Sequence, residues 1–160
     1  MIDLRSTRRA CLALLLCAVA TVAQAQTPAA EEYKPTVGQA GKDVVWVPSP
    51  QALVDKMLEM AKVTPADFVM ELGAGDGRTV ITAAKRGVRA MGVEYNPDMV
   101  ALSRRNAAAA GVADKVTFVH ADIFQTDISK ATVITLFLLP ELNLRLRPTI
   151  LPVLADYLQS

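Results

Sequence analysis

A glycine-rich run with acidic side chains in and beside it is the segment of the sequence best suited to hold a ligand. It reads Glu71-Leu72-Gly73-Ala74-Gly75-Asp76-Gly77 and joins an apolar run to a segment with helical spacing. Glycine lets the backbone turn tightly and lets a ligand approach without meeting a Cβ atom. The helix behind it offers unpaired N–H groups. The run therefore predicts a strand–loop–helix cradle, although such a turn alone is often only a connection.

Two further acidic side chains follow the next two apolar runs. Glu94 ends the second run, 23 residues after Glu71, where a carboxylate can accept both hydroxyls of a ribose. Asp122 and Ile123 follow the third run. Taken singly, Glu94 or Asp122 could equally be a carboxylate at a helix N-terminus. Since parallel strands end at one edge of a sheet, the three segments together predict a single nucleotide-like site.

The spacing E-x-G-x-G-x-G resembles motif I of the class I S-adenosylmethionine-dependent methyltransferases. A dinucleotide site would need G-x-G-x-x-G, and Arg78 stands where that pattern has its last glycine. The resemblance implies S-adenosylmethionine as cofactor. It also implies that Asp122 contacts the adenine amino group while Ile123 packs on the ring. The cofactor-binding residues expected from it are Glu71, Gly73, Ala74, Gly75, Asp76, Gly77, Glu94, Asp122 and Ile123.

The resemblance extends from about Val44 to Pro148. Residues 43–50 and 131–142 are similar to a bacterial group of class I methyltransferases. The second run also resembles the fourth-strand region of seven-strand protein-lysine methyltransferases, including those that act on a component of the ATP synthase and on histone cores. Methyl transfer to a protein lysine or a small-molecule nucleophile is therefore expected. The alternative is a truncated, inactive remnant that only binds the cofactor or a partner.

Apolar, non-alternating strands that alternate with helices predict an α/β fold, a Rossmann-like doubly wound parallel sheet. Strands 3-2-1-4 of the family order are present in the sequence, and strands 5–7 are absent before Ser160. Strand four would then be an exposed apolar edge that favours self-association. The predicted strands are 68–72, 90–94, 116–119 and 132–139. The predicted helices begin after Ser49, at Arg78, after the cap Asn96 and at Leu142.

The N-terminal quarter has the pattern of an export signal. Arg5, Arg8 and Arg9 precede an apolar stretch, and Ala23-Gln24-Ala25 is a small-x-small cleavage site. The expected organisation is a signal peptide at 1–25, a linker or arm at 26–45 and the cofactor-binding domain at 46–160. The chain is therefore expected to be exported, periplasmic or secreted, with no stable membrane span after cleavage. An uncleaved membrane anchor is the alternative.

Composition excludes several other kinds of site. Both cysteines, Cys11 and Cys17, lie in the signal, so the mature chain would have no thiol for a disulfide, a metal or a nucleophile. Removing residues 1–25 takes away three arginines and one aspartate, which leaves 14 basic against 15 acidic side chains. A near-neutral domain argues against nucleic acid as a partner. Trp46 is interpreted as a packing anchor, His120 as structural, and no residue is assigned a catalytic role.

Overall fold

The computed structural model describes residues 32–159, so the predicted signal at 1–25 lies outside the described residues. The chain divides into two units, residues 1–32 and residues 33–160. The second unit holds every helix and strand given below. No helix in the described part of the chain is both long and apolar enough to cross a membrane.

Helices and strands alternate along this second unit, as the apolar pattern predicts. The strands pair in the order β3-β2-β1-β4, and every pair is parallel. The predicted α/β doubly wound sheet is thereby confirmed. The elements are α1 (Gln51–Met60), β1 (Phe68–Leu72), α2 (Arg78–Lys85), β2 (Arg89–Glu94), α3 (Pro97–Ala109), β3 (Val116–His120), β4 (Val133–Leu136) and α4 (Pro140–Gln159).

Side chains of β1 alternate between the two faces of the sheet. Val69 joins a core cluster with residues of α1, α2 and α3, whereas Met70 and Leu72 join a second cluster with Leu146 of α4. This period of two follows from the pleat of a strand. Because helices cover both faces of β1, the strand is apolar at nearly every position. Glu71 is the one charged residue of the strand, and it borders the site described below.

The carboxyl ends of the strands form one edge of the sheet. In the parallel register Leu72 lies beside Val93 on one side and Leu136 on the other. Each segment that follows β1, β2, β3 and β4 therefore starts at this edge. Among the described residues β4 pairs only with β1, and self-association through its other edge stays a prediction.

Three local predictions need correction. Ser49 does not cap α1: Pro50 is the N-cap residue, and the buried Ser49 carbonyl instead accepts a hydrogen bond from Arg78. The fourth strand ends at Leu136 rather than at 139, because its partner β1 ends at Leu72 and offers no further ladder. The last helix begins at Pro140 and continues through both internal prolines.

Candidate functional site

The loop after β1 has backbone conformations that only glycine adopts without strain. Gly73 and Gly75 have φ values of +87° and +55°, a conformation that costs an L side chain energy. The backbone N–H groups of Gly73 and Ala74 donate to the Val93 carbonyl of β2, which holds the loop at the sheet edge. A Cβ on Gly75 would lie 2.8 Å from Nε1 of Trp46. The loop is thus open on one side and closely approached by the N-terminal arm, Tyr33–Pro50, on another.

Glu94 fixes the geometry of the cradle from the end of β2. Its Oε2 accepts from the Gly75 N–H at 2.9 Å, and its Oε1 accepts from the Asn96 N–H at 2.9 Å. Asn96 caps α3 and Pro97 occupies the first turn, as predicted. Each carboxylate oxygen retains a lone pair after these bonds. Glu94 can therefore still accept two hydroxyl hydrogens from a ligand in the cradle.

Glu71 is a buried acid without a full set of partners. The residue is 3% exposed, and its Oε2 has no hydrogen-bond partner among the described residues. Burial raises the pKa of Glu71 to about 8, while the Thr79 side chain offsets part of the effect. A buried acceptor with no donor costs free energy, so a cationic or N–H donor at this position would be stabilised.

Asp122 lies at the start of the segment that follows β3. Its Oδ1 accepts from the Phe124 N–H at 2.9 Å, and its Oδ2 accepts from Nζ of Lys42 at 2.6 Å. The Lys42 ammonium and the Phe124 N–H hold the pKa of Asp122 below its usual range. Asp122 is therefore an ionised acceptor whose outer oxygen faces the N-terminal arm.

An ion pair next to the cradle ties the loop to that arm. Nε and Nη2 of Arg78 donate to both oxygens of Asp76, at 3.0 and 2.6 Å. Nη1 of the same side chain donates to the Ser49 carbonyl at 2.7 Å, and Asn106 donates to the Asp76 carbonyl at 2.9 Å. One guanidinium thus connects the loop, the start of α1 and α2. Asp76, although predicted to bind a ligand, is largely engaged within the protein.

These segments surround one cavity of about 370 Å³. Eight of the nine predicted binding residues line it, namely Glu71, Gly73, Ala74, Gly75, Asp76, Glu94, Asp122 and Ile123. Gly77 does not line it. A Cβ on Gly77 would lie 2.7 Å from Phe118 and Ser103 side-chain atoms, so this glycine lets α2 pack closely against α3 and β3.

Sequence reasoning missed much of the cavity wall. The N-terminal arm contributes Lys42 and Trp46, although Trp46 was interpreted as a packing anchor and Lys42 lies in a segment interpreted as a linker. Tyr95 and the segment after β4, with Phe137 and Leu139, complete the wall. The polar, irregular pattern of residues 38–43 gives no periodic signal. Only the short apolar run that contains Trp46 could have pointed to this contact.

The arrangement suits a ligand that carries hydroxyls, amines and an apolar part. Three carboxylates, Glu71, Glu94 and Asp122, offer acceptors at separate places, and Ile123 and Leu138 offer apolar contacts. In the part of the chain that the structure describes, no cluster of His, Cys, Asp and Glu could hold a metal ion. The wall of the site thus combines carboxylate acceptors with apolar side chains.

A family model for the ANTKMT methyltransferase domain matches residues 71–156, from the glycine-rich loop through most of α4. The protein-lysine N-methyltransferase of Saccharolobus islandicus (strain REY15A) is 44% identical over 107 residues, which are 66% of this chain and 66% of that protein. The adenine nucleotide translocase lysine N-methyltransferase of Mus musculus is 33% identical over 108 residues, 67% of this chain and 43% of that protein. The matched part of the chain thus spans less than two thirds of the length of these relatives.

A solved structure is also similar. The RNA methyltransferase of Salinibacter ruber, crystallised in complex with S-adenosyl-L-homocysteine, has 51% sequence identity and a TM-score of 0.64. The match covers 65% of this chain and 69% of that one. The name of that protein gives a different acceptor from those of the lysine methyltransferases above.

Proposed function

Because the chain belongs to the family of the ANTKMT methyltransferase domain, a family of S-adenosylmethionine-dependent enzymes, we propose that it transfers a methyl group from this cofactor to the side-chain amine of a protein lysine. The observation that carries the proposal is the convergence of the glycine loop and three carboxylates on one cavity. The lysine acceptor is supported by the names of the two lysine methyltransferases to which the chain is similar.

The residues present fit the cofactor at three points. The unpartnered, buried Oε2 of Glu71 would accept from the ammonium of the methionine part. Glu94 has lone pairs left for the ribose hydroxyls. Asp122 would accept from the adenine amino group, with Ile123 beside the ring. Gly75 keeps the cradle free of a side chain between the loop and Trp46.

When bound, S-adenosylmethionine supplies an already activated sulfonium methyl group. The chain has to align an acceptor nitrogen with that group and exclude water. Phe137 and Leu139 are 42% and 53% exposed beside the cavity, so they give its mouth an apolar wall. An apolar environment disfavours an ammonium and lowers the pKa of a lysine that enters it, which favours the neutral, nucleophilic amine.

No side chain in the described part of the chain is assigned as the base. Glu141 could help to orient an amine, but it is in the first turn of α4, where a carboxylate that stabilises the helix N-terminus is the better explanation. A solvent-exposed lysine has a pKa of about 10.4, so the acceptor must give its proton to water before it attacks, and the apolar mouth favours this by lowering that pKa. The inactive-remnant alternative gains no support from relatives whose names are those of methyltransferases.

Cofactor binding is tested first with calorimetry and S-adenosylhomocysteine. Glu94→Ala should weaken binding by about a hundredfold or more, since it removes two charge-assisted hydrogen bonds to the ribose and two that shape the loop. Glu59→Ala is the matched control, because this carboxylate is exposed on α1 and is not part of the cavity wall. Equal affinities for wild type and Glu94→Ala would contradict the assignment.

The acceptor is tested with the purified full chain, tritiated S-adenosylmethionine and an extract of bacterial protein and RNA. We expect label that is lost on protease digestion and kept after ribonuclease treatment, with methyl-lysine identified by mass spectrometry. Label that is lost on ribonuclease treatment would show that the acceptor is RNA and not a protein lysine. RNA is the acceptor named for the Salinibacter ruber protein. Glu94→Ala under the same conditions controls for contaminating enzymes.

A further inference from the structure

Lys42 contacts Asp122, the residue to which the proposed function assigns the adenine amino group, and the neighbouring aromatic ring of Tyr95. Its Nζ donates to Oδ2 of Asp122 at 2.6 Å and lies 4.5 Å from the centre of the Tyr95 ring. The two contacts form a salt bridge and a cation–π interaction with one ammonium. Tyr95 itself is kept in place by an edge contact with His120 at 6.0 Å between ring centres. An aromatic face beside a carboxylate is also what an adenine, with its flat ring and amino group, would use.

Both oxygens of the Asp122 carboxylate accept a hydrogen bond within the protein, and only one of these bonds comes from a side chain. Oδ1 accepts from the Phe124 backbone N–H, which sets the orientation of the side chain. Oδ2 is the oxygen that Lys42 occupies. An adenine that donated to Oδ2 and lay against Tyr95 would need the space that the ammonium now takes.

Lys42 is carried by a short hairpin that is joined to the domain at its base. Gly38 N–H donates to the Trp46 carbonyl, and Trp46 N–H donates to the Gln39 carbonyl, so residues 40–45 form the tip. Among the residues that the structure describes, the tip makes no hydrogen bond or ion pair with the domain apart from that of Lys42. The Lys42 side chain is therefore the polar link between the tip and the rest of the domain.

We propose that Lys42 is an internal competitor of the cofactor, whose ammonium occupies the adenine position between Asp122 and Tyr95 and must leave before the cofactor is fully bound. The proposal rests on the proposed function, since it takes the cavity as the cofactor site. The pair weakens cofactor binding by the fraction of molecules in which the tip is closed. Lys42 thereby sets the affinity of the site without contacting the transferred methyl group.

The experiment is calorimetry with S-adenosylhomocysteine at two salt concentrations. Lys42→Met removes the charge and keeps a long side chain, so it should bind about threefold to fivefold more tightly than wild type at low salt. Salt screens the exposed part of the pair, so 0.5 M NaCl should bring wild type towards the variant and leave the variant unchanged. Lys42→Arg, which keeps the charge, should resemble wild type. Lys34→Met changes an exposed lysine of the same arm outside the cavity wall and should also have no effect.

A double-mutant cycle and a fluorescence signal make the result specific. In an Asp122→Asn background the ion pair is already lost, so Lys42→Met should add little. Trp46 is the only tryptophan of the chain and sits at the base of the hairpin, so its fluorescence should change when the ligand displaces the tip. Unchanged binding by Lys42→Met, with wild type binding normally, would overturn the competitor, and weaker binding would show instead that Lys42 helps to hold the ligand. Failure of wild type to bind at all would instead overturn the proposed function, and the competitor with it.

Discussion

Glu71 shows how one residue can be poorly placed for stability and well placed for a ligand. It occupies a buried position of β1, where the neighbouring residues Met70 and Leu72 are apolar core. Desolvation makes its ionised form costly, which is why its pKa rises to about 8. A ligand ammonium would remove that cost. Under the proposed function, the partner of this acid arrives with the cofactor.

Glu71→Gln should change the pH dependence of stability in a defined direction. The folded-state pKa of the acid, about 8, is above its ordinary value of 4.5. Its contribution to stability is therefore full below pH 4.5 and is lost as the pH rises through about 8. Urea melts of the ligand-free protein should show wild type losing on the order of 5 kcal/mol between these limits, and Glu71→Gln losing much less. Glu59→Gln, at an exposed site, should follow wild type.

Glu71→Gln should also change how ligand affinity depends on pH. A higher pH lowers the stability of the wild type but should raise its affinity for the ligand. An ionised Glu71 favours an ammonium, so wild-type affinity for S-adenosylhomocysteine should rise from about pH 6 to about pH 8, with proton release on binding at the lower pH. Glu71→Gln should bind more weakly at the higher pH and show almost no trend. Calorimetry in two buffers of different ionisation enthalpy counts the protons. A parallel trend in both proteins would show that Glu71 is not the group that responds.

At the scale of single residues, the sequence predicts contacts that are local and misses those that are not. Asn96 and Pro97 are adjacent, and their order is enough to predict a helix cap. Glu94 and Gly75 are 19 residues apart but are joined by the fixed geometry of a strand–helix–strand unit. The contact of Lys42 with Asp122 spans 80 residues and depends on the path of an irregular arm, for which no periodicity exists.

At the scale of elements, Gly77 illustrates a glycine that serves packing. It is the N-cap residue of α2 with φ of +82°, and its α-carbon faces Ser103 of α3 and Phe118 of β3 at distances that leave no room for a Cβ. The motif predicted a binding glycine at this position. The structure shows a packing contact at this glycine, which sets how closely two helices and a strand approach, and the binding role stays a prediction.

Gly77→Ala should therefore lower the free energy of unfolding by more than backbone strain alone would. Gly111→Ala is the matched control, because its φ is +70° and a Cβ there would meet nothing within 4 Å. We expect about 1–2 kcal/mol for Gly111→Ala from the left-handed conformation. Gly77→Ala should cost about 1–3 kcal/mol more from overpacking. Equal losses of stability in urea melts would show that Phe118 and Ser103 move aside without cost.

Element boundaries follow from pairing partners that lie elsewhere in the chain. The apolar run from Thr132 to Leu139 reads as one long strand, but β4 stops where β1 stops. The residues released in this way, Phe137 to Leu139, turn to line the cavity. Likewise α4 continues through Pro148 because Leu146 and Ile150 pack against the sheet and outweigh the hydrogen bonds that proline removes.

At the scale of the whole molecule, the order of the strands could be predicted from the sequence. The part of the cavity wall that the N-terminal arm contributes could not. Parallel strands with crossover helices allow few arrangements, so the order 3-2-1-4 follows from the apolar runs and the resemblance together. The N-terminal arm is outside that logic, since no strand or helix rule says where it folds. That is why the walls formed by the strand ends were expected and the wall with Trp46 and Lys42 was not.

Export of the chain remains a proposal, and it raises the question of how a cofactor made in the cytosol would reach the site. Thr7-Arg8-Arg9-Ala10-Cys11-Leu12 resembles the twin-arginine signal in its arginine pair and Leu12, while Cys11 replaces the usual Phe. That route carries folded proteins. An ordinary secretion signal with a basic n-region explains the same residues and would carry the chain unfolded. The segment lies outside the described residues, so the two routes are separated by experiment.

Changing Arg8 and Arg9 together to Lys keeps the charge of the n-region and removes the pair that a twin-arginine route requires. If the protein folds around its cofactor before export, ligand binding stabilises the folded state during transit, and the double variant should stay in the cytosol. Arg5→Lys, outside the pair, should be exported like wild type. Cell fractionation measures export of the protein. Mass spectrometry of the small molecules that copurify with the exported protein then shows whether the ligand left the cytosol with it. Normal export of the double variant would assign the chain to the unfolded route, and the exported protein would then have to acquire its methyl donor outside the cytosol.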